Sequence, residues 1–322
     1  MDANIADKRI LVLSGGGGRG AYHVGALQYL EEVGWQPDVV IGSSVGAVNA
    51  AALGSGLNTG DLRARWLDLV SADVQRMRAD DVILDNVLHH RDHVFDLKPW
   101  PDTLLGRSKK WRDRPWFRPE VINAPDAPLE VHVTAVNANT ARLEFFTNRS
   151  EGGLRLEHIL ASFSIPLWYG PFEIEGVPYW DGGTLANTPF RKALELGGTE
   201  IVVVTMVPWP ERPVRSSQRP GYVTDIDEQL LVVVQELWNA FEPALDAMLT
   251  ETVWRDYLLY KLECETGRYP GLKWLEIVAP DRFLTVGLMT HYQAEYHRHL
   301  MELGYWDARK DLARVLGKPD RS

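Results

Sequence analysis

Two short blocks near the N-terminus carry the residue types that acyl or phosphoryl chemistry needs. The first is Gly15-Gly16-Gly17-Gly18-Arg19-Gly20. It follows a short apolar run, Arg9–Leu13, and opens a segment whose Ala21, Val24, Leu27 and Leu30 repeat at helical spacing up to Gly34. A glycine loop at a helix start turns several backbone N–H groups toward one anion with no Cβ in the way. Two functions use that geometry: cradling a phosphate, and holding the oxyanion of a tetrahedral acyl intermediate. The loop also fits the dinucleotide spacing Gly15-x-Gly17-x-x-Gly20, which keeps a nucleotide-dependent oxidoreductase open as a rival. Such a fold would place an acid at the end of the second strand. Here that strand, Asp38–Gly42, ends in Gly42-Ser43-Ser44, and the nearby acid Asp38 lies at its start. Arg19 needs compensation, because a cation near a helix N-terminus opposes the helix dipole. A carboxylate partner that locks the loop is favoured over an anionic group of the substrate.

The second block, Gly42-Ser43-Ser44-Val45-Gly46, fits G-x-S-x-G with Ser44 at its centre. That chemistry puts a serine on a sharp strand-to-helix turn, and the flanking residues must be small for the backbone to fold so tightly. Ser43 lacks the symmetric glycines. An α/β-hydrolase serine comes after several strands and is followed by an acid and a histidine. Ser44 follows only the second strand, so that fold is disfavoured.

The elements around these blocks define the fold class. Strand, helix, strand and a small-residue helix over Val45–Leu57 within sixty residues indicate a parallel βαβ layer. Residues 60–72 read as helix. The charged, proline-punctuated stretch 73–128 reads as an insertion or lid. Strands resume at Leu129–Val136 and Arg142–Phe146, with a hairpin over Phe172–Trp180, a helix over Asn187–Leu196 and a buried strand at Glu200–Val207. Prolines across 208–220 mark a boundary, after which Thr224–Leu262 and Thr290–Leu316 are helical and Trp274–Val278 is a strand candidate. The expected organisation is an α/β core over 1–207 and a mostly helical part, 208–322, packed on it.

Composition narrows the function. Against 34 Lys plus Arg stand 44 Asp plus Glu, a net charge of −10, which argues against a nucleic-acid partner. Cys264 is alone, so no internal disulfide or cysteine metal cluster forms. No run of eighteen apolar residues occurs, and Ile10–Leu13 is too short for a signal peptide; the expected location is cytoplasmic. His23 reads as a buried helix residue. His90 and His93, with His89 beside them, make a weak metal pair without a third ligand. His291, His297 and His299 read as surface residues of a C-terminal helix. No segment resembles a calcium loop. Between Phe95 and Phe117, Trp100, Trp111 and Trp116 alternate with basic residues; they suit either a membrane interface or packing on the core. The stripe Leu230, Val234, Leu237, Phe241, Leu245 and Leu249 reads as core packing.

With Asp181-Gly182-Gly183, the two blocks resemble the three signatures of patatin-like phospholipases, in the same order. Ala161–Pro166, Asn187-Thr188-Pro189 and the run Ala193–Val204 are also similar to that family, so the resemblance spans about residues 8–207 with a gap at 73–128. On residue type alone Asp181 is a turn aspartate before two glycines. The resemblance implies a three-layer α/β/α fold with a largely parallel sheet, with Ser44 as nucleophile and Asp181 as its general base. It implies an oxyanion hole at Gly16, Gly17, Gly18 and Arg19, with Gly15, Gly20, Gly42, Gly46, Gly182 and Gly183 shaping the turns. The implied substrate is a lipid acyl ester, met with at most transient membrane contact and with no metal or cofactor. An ordinary carboxylate is a weak base for a hydroxyl, so burial must raise Asp181 or the oxyanion hole must carry most of the catalysis. A catalytically silent lipid-binding or regulatory module on the same fold is the alternative, and oligomeric state is left open.

Overall fold

The computed structural model describes residues 7–77, 93, 95–166, 168–212, 230–284 and 292–317, with only the backbone described for 230–246. Its strands are β1 (Arg9–Leu13), β2 (Val39–Gly42), β3 (Arg76–Met77), β4 (Phe95–Asp96), β5 (Glu130–Asn137), β6 (Arg142–Thr147), β7 (Phe172–Ile174), β8 (Val177–Asp181), β9 (Glu200–Val204) and β10 (Trp274–Val278). Eight of them form one sheet in the order β10-β9-β1-β2-β5-β8-β7, with β6 also paired to β5; β3 and β4 make a separate two-stranded pair. The run β10-β9-β1-β2-β5 is parallel. β6, β7 and β8 join antiparallel, so the expected parallel character holds for five of the eight strands.

The central strands are apolar on both faces because both faces are covered. Leu11, Leu13, Val40, Val202 and Val204 face one core, with α1 (Ala21–Glu32), α2 (Val45–Gly54) and α3 (Thr59–Asp68). Ile10, Val12, Val39, Ile41, Ile201 and Val203 face the other, with Phe190, Ala193 and Leu194. That period-two alternation produces the three layers.

The described part of 95–128 belongs to the first core. Trp100, Trp111 and Trp116 are fully buried, which decides between the two readings of these rings. Trp116 sits edge-on to Trp66 of α3 at 5.7 Å, and Trp100 lies 5.7 Å from Phe163.

The C-terminal segment completes the sheet as well as covering it, since β10 pairs in parallel along all of β9. Helix Leu230–Glu265 follows the expected helical span, and its Leu249 and Val253 pack in the second core. Helix Ala294–Asp311 crosses α1 at glycines: a Cβ on Gly25 would lie 1.9 Å from the Met301 carbonyl oxygen, and one on Gly304 2.1 Å from that of Tyr22. On this helix His299 is exposed, but His297, expected at the surface, is completely buried. It faces Trp66, whose carbonyl oxygen lies 2.5 Å from its Nδ1, and burial holds its pKa down at about 4. The periodicity placed the helix; which side faced α3 was not readable from charge pattern alone. His89, His90 and His291 lie outside the described residues. Among the described residues no group of His, Cys, Asp or Glu is arranged to hold a metal, and no helix is long and apolar enough to cross a membrane.

The glycine crossing makes a direct prediction. Gly304→Val should cost about 3 kcal/mol of stability through overpacking against the α1 backbone. Urea unfolding checks it, and an unchanged midpoint would show that the two helices can separate freely.

Candidate active site

Ser44 sits between β2 and α2 with φ 55° and ψ −125°, a backbone conformation that non-glycine residues rarely adopt. Such strain costs about 1–3 kcal/mol and persists only where the surroundings over-determine it. The flanking glycines show how. A Cβ on Gly42 would lie 2.3 Å from the Gly46 carbonyl oxygen, and one on Gly46 2.2 Å from that of Leu13, so α2 starts in contact with β1. Ser43 N–H donates to Leu13 O at 3.1 Å, and the Ser43 hydroxyl accepts from Thr134 Oγ1 at 2.9 Å. Ser44 N–H donates to the Ser162 hydroxyl at 3.0 Å.

β5 brings the aspartate to this turn. Its residues 130–133 pair with β2 and its residues 135–137 with β8, while β6 lines 132–137. A strand has two edges, so β2 and β8 lie end to end on the same one. β2 ends with Gly42 opposite Val133, and β8 ends with Asp181 opposite Ala135. Ser44 and Asp181, far apart in the chain, therefore meet at the gap between two strand ends. Asp181 N–H donates to Ser164 O at 2.9 Å, and its Oδ1 accepts from Gly183 N–H at 2.7 Å. Gly182 is obligatory, because a Cβ there would lie 2.0 Å from Thr134 Oγ1.

The Asp181 carboxyl is pushed up to about 7 by burial, against the opposing pull of the Ser44 hydroxyl and the Gly183 N–H. The two side chains interact, yet no hydrogen bond of full geometry joins them. Ser44 Oγ and Asp181 Oδ2 are both buried and take no hydrogen-bond partner among the described residues.

The glycine loop closes the third side. Gly15 N–H donates to Asn187 O at 2.9 Å, and a Cβ on Gly15 would lie 3.0 Å from that of Ser44. Gly17 begins a 3-10 turn, Gly17–Gly20, at φ 55°, a left-handed conformation that favours glycine. Arg19 is buried and holds the loop through backbone carbonyls, where a carboxylate was expected: Nε to Gly16 O at 3.3 Å and Nη1 to Leu284 O at 2.8 Å. Its own N–H also donates to Gly16 O, at 3.1 Å. Of the four residues expected to supply oxyanion donors, Arg19 thus has its N–H committed. Those of Gly16, Gly17 and Gly18 meet no acceptor among the described residues. Since a peptide is planar and trans, holding the Gly16 carbonyl on one side directs the Gly17 N–H to the other.

His23 is buried beside Asn49 Nδ2 at 3.2 Å, and burial lowers its pKa to about 3. Asn49 also donates to Gly20 O at 3.0 Å and accepts from Trp66 Nε1 at 3.0 Å, tying α2 to the loop and to α3. Thr134, Asn49 and Ser162 were not identified from sequence as parts of the site. Ser162 lies within the noted Ala161–Pro166 run, but nothing local indicated its partner.

The family model described as patatin-like phospholipase matches residues 11–194, more than half of the chain, and the protein belongs to that family. Among curated proteins it is similar to lysophospholipase nte1 of Neurospora crassa, 28% identical over 194 residues covering 60% of this chain and 12% of that protein. Lysophospholipase nte1 of Emericella nidulans is 27% identical over 205 residues, again 60% of this chain and 12% of the relative. The chain thus spans about an eighth of the length of these relatives. Among solved structures, VipD from Legionella pneumophila aligns with TM-score 0.46 at 14% identity, covering 94% of this chain and 66% of that one. ExoU, solved with SpcU from Pseudomonas aeruginosa, aligns with TM-score 0.28 at 16% identity over 77% and 52% of the two chains.

Burial of Asp181 predicts a pH-dependent stability cost. Its folded pKa of about 7 lies above the usual aspartate value of 3.8, so folding disfavours the ionised form. The cost is absent below about pH 4, grows as pH rises and is complete above about pH 7. Asp181→Asn should therefore stabilise the protein at pH 8 by about 2–4 kcal/mol. The gain should shrink toward zero at pH 4. Chemical unfolding of both proteins across this range checks it; a pH-independent difference would contradict a raised pKa.

Proposed function

We propose that the protein is a serine hydrolase of lipid acyl esters, with Ser44 as nucleophile, Asp181 as general base and the Gly16–Gly18 N–H groups as oxyanion hole. The meeting of the strained Ser44 with the unpartnered Oδ2 of a carboxyl raised to about 7 carries this reading. Ser44 Oγ attacks the ester carbonyl carbon as its proton passes to Asp181 Oδ2. The carbonyl oxygen, now negative, accepts hydrogen bonds from the glycine loop. Collapse of this intermediate breaks the ester C–O bond, and the leaving alcohol takes the proton from Asp181. Water then attacks the acyl-enzyme, giving its proton to the same carboxylate. The second collapse releases the carboxylic acid and returns the proton to Ser44. These steps need no metal or cofactor.

The family description and the lysophospholipase names of the curated relatives support phospholipids and lysophospholipids as the substrate class, with lysophospholipids first to be tried. Ser44 and Asp181 are each only 3% exposed, so an acyl chain enters by displacing cover from the site. A peripheral, transient encounter with a lipid surface is the natural setting for that step, and the proposed location is cytoplasmic.

Intact-mass labelling with a fluorophosphonate, beside turnover of a p-nitrophenyl ester and a lysophospholipid, tests the assignment. Wild type should gain one adduct that Ser44→Ala lacks. Asp181→Asn should lose turnover by on the order of 10³-fold. A folded wild type with neither adduct nor turnover would favour the silent lipid-binding module.

The base also sets the pH profile. Below about pH 7 Asp181 is protonated and cannot accept from Ser44. The ratio kcat/KM for a neutral ester should fall about tenfold per unit below that point and level off above it. A profile flat from pH 5 to 8 would remove Asp181 from the role.

A further inference from the structure

We propose that Ser162 is a positioning residue for this hydrolysis, holding the Ser44 backbone so that its hydroxyl faces Asp181. The inference rests on the catalytic reading above. Ser162 ends helix Leu156–Ser162, is fully buried, and accepts the Ser44 N–H at 3.0 Å. Two residues on, Ser164 O accepts the Asp181 N–H at 2.9 Å. The Ser164 hydroxyl donates to Leu160 O at 2.9 Å, and the intervening Phe163 is buried 5.7 Å from Trp100. One short, packed segment thus grips the backbones of both reacting residues.

The grip has two consequences. The Ser44 N–H is engaged and cannot turn toward a developing oxyanion. The bond also fixes a turn that has every reason to relax, since Ser44 is held at φ 55°. Without the Ser162 hydroxyl, a buried N–H loses its acceptor and the elbow can shift toward an ordinary conformation. A displacement of about 1 Å at a reacting atom costs on the order of 10²-fold in rate.

The experiment compares wild type, Ser162→Ala and Ser162→Thr by fluorophosphonate labelling rate, kcat, KM and melting temperature. In Ser162→Ala, labelling rate and kcat should fall together by about 10- to 100-fold, with KM within about twofold. Ser162→Thr, which keeps the hydroxyl, should recover most of the loss. If Ser162→Ala does not fold, Ser162→Cys, close in size but a poorer acceptor, carries the same comparison. Rates within threefold of wild type in the folded alanine or cysteine variant overturn the proposal. So does a threonine variant as slow as the alanine one, or a change confined to KM. A wild type that takes no label overturns the catalytic reading itself, an outcome distinct from labelling that is indifferent to residue 162.

Discussion

β5 holds β2 and β8 end to end along a single edge, and the geometry of the site follows from that sharing. Parallel pairing brings β2 up to Gly42 opposite Val133, and antiparallel pairing brings β8 down to Asp181 opposite Ala135. Thr134, the β5 residue between these pairings, donates to Ser43 and crowds Gly182 so closely that no side chain fits there. A register slip of one residue in either strand would turn Ser44 or Asp181 to the opposite face of the sheet. The switch from parallel to antiparallel pairing is thus the means by which two strand ends, and the two side chains leaving them, come to face one gap.

At that gap the electrostatics depend on desolvation more than on charge pairing. Two helix N-termini converge there, those of α1 and α2, and their partial positive charge favours anions. The Asp181 carboxyl is pushed up to about 7 because the loss of water outweighs the bonds from Ser44 and Gly183. The buried histidines offer no substitute base. Burial holds His23 at about 3 and His158 at about 4, which makes both weak bases, and His23 is bonded to Asn49. In the proposed mechanism a carboxylate made basic by its surroundings takes the part that a histidine has in the Ser-His-Asp arrangement. The arrangement carries a stability penalty because the same desolvation that makes Asp181 a base opposes its ionisation in the folded state.

What was legible in the sequence was local. Gly15–Gly20 and Gly42–Gly46 announce a loop and an elbow because their steric demands fall on neighbouring residues. Long-range consequences were less visible. Trp100, Trp111 and Trp116 sit among lysines and arginines, and only the finished core shows their rings packed inward while Lys110 and Arg114 lie over the Trp111 ring. His297 was misplaced because a histidine on an amphipathic helix carries no label for the face it takes. Beyond residue 207 the strand candidate Trp274–Val278 was legible and is β10, but its pairing with β9 was not, because it depends on a partner some seventy residues earlier. Arg19 was legible as a locking residue, whereas its acceptors, two backbone carbonyls, leave no mark on sequence.

The loop and the elbow divide the work in a way that the positions of their N–H groups enforce. At the elbow, Ser44 N–H is engaged by Ser162 and Gly46 N–H by Ser43 O, so these two groups are committed to holding shape. In the loop, Arg19 commits its N–H and its guanidinium to the Gly16 carbonyl, and Gly15 commits its N–H to Asn187 O. Among the described residues the N–H groups of Gly16, Gly17 and Gly18, on the flank where Gly15 touches Ser44, meet no acceptor, and neither does that of Val45 at the elbow. Uncommitted donors in a dry, preorganised site are worth most where charge appears only during reaction, because no reorganisation is needed at that moment. Asp181 is divided likewise: Gly183 N–H holds Oδ1, and Oδ2 alone is left for the proton. The rigid half of each group keeps the other half aimed, which is what the proposed mechanism asks of a single carboxylate that serves both acylation and deacylation.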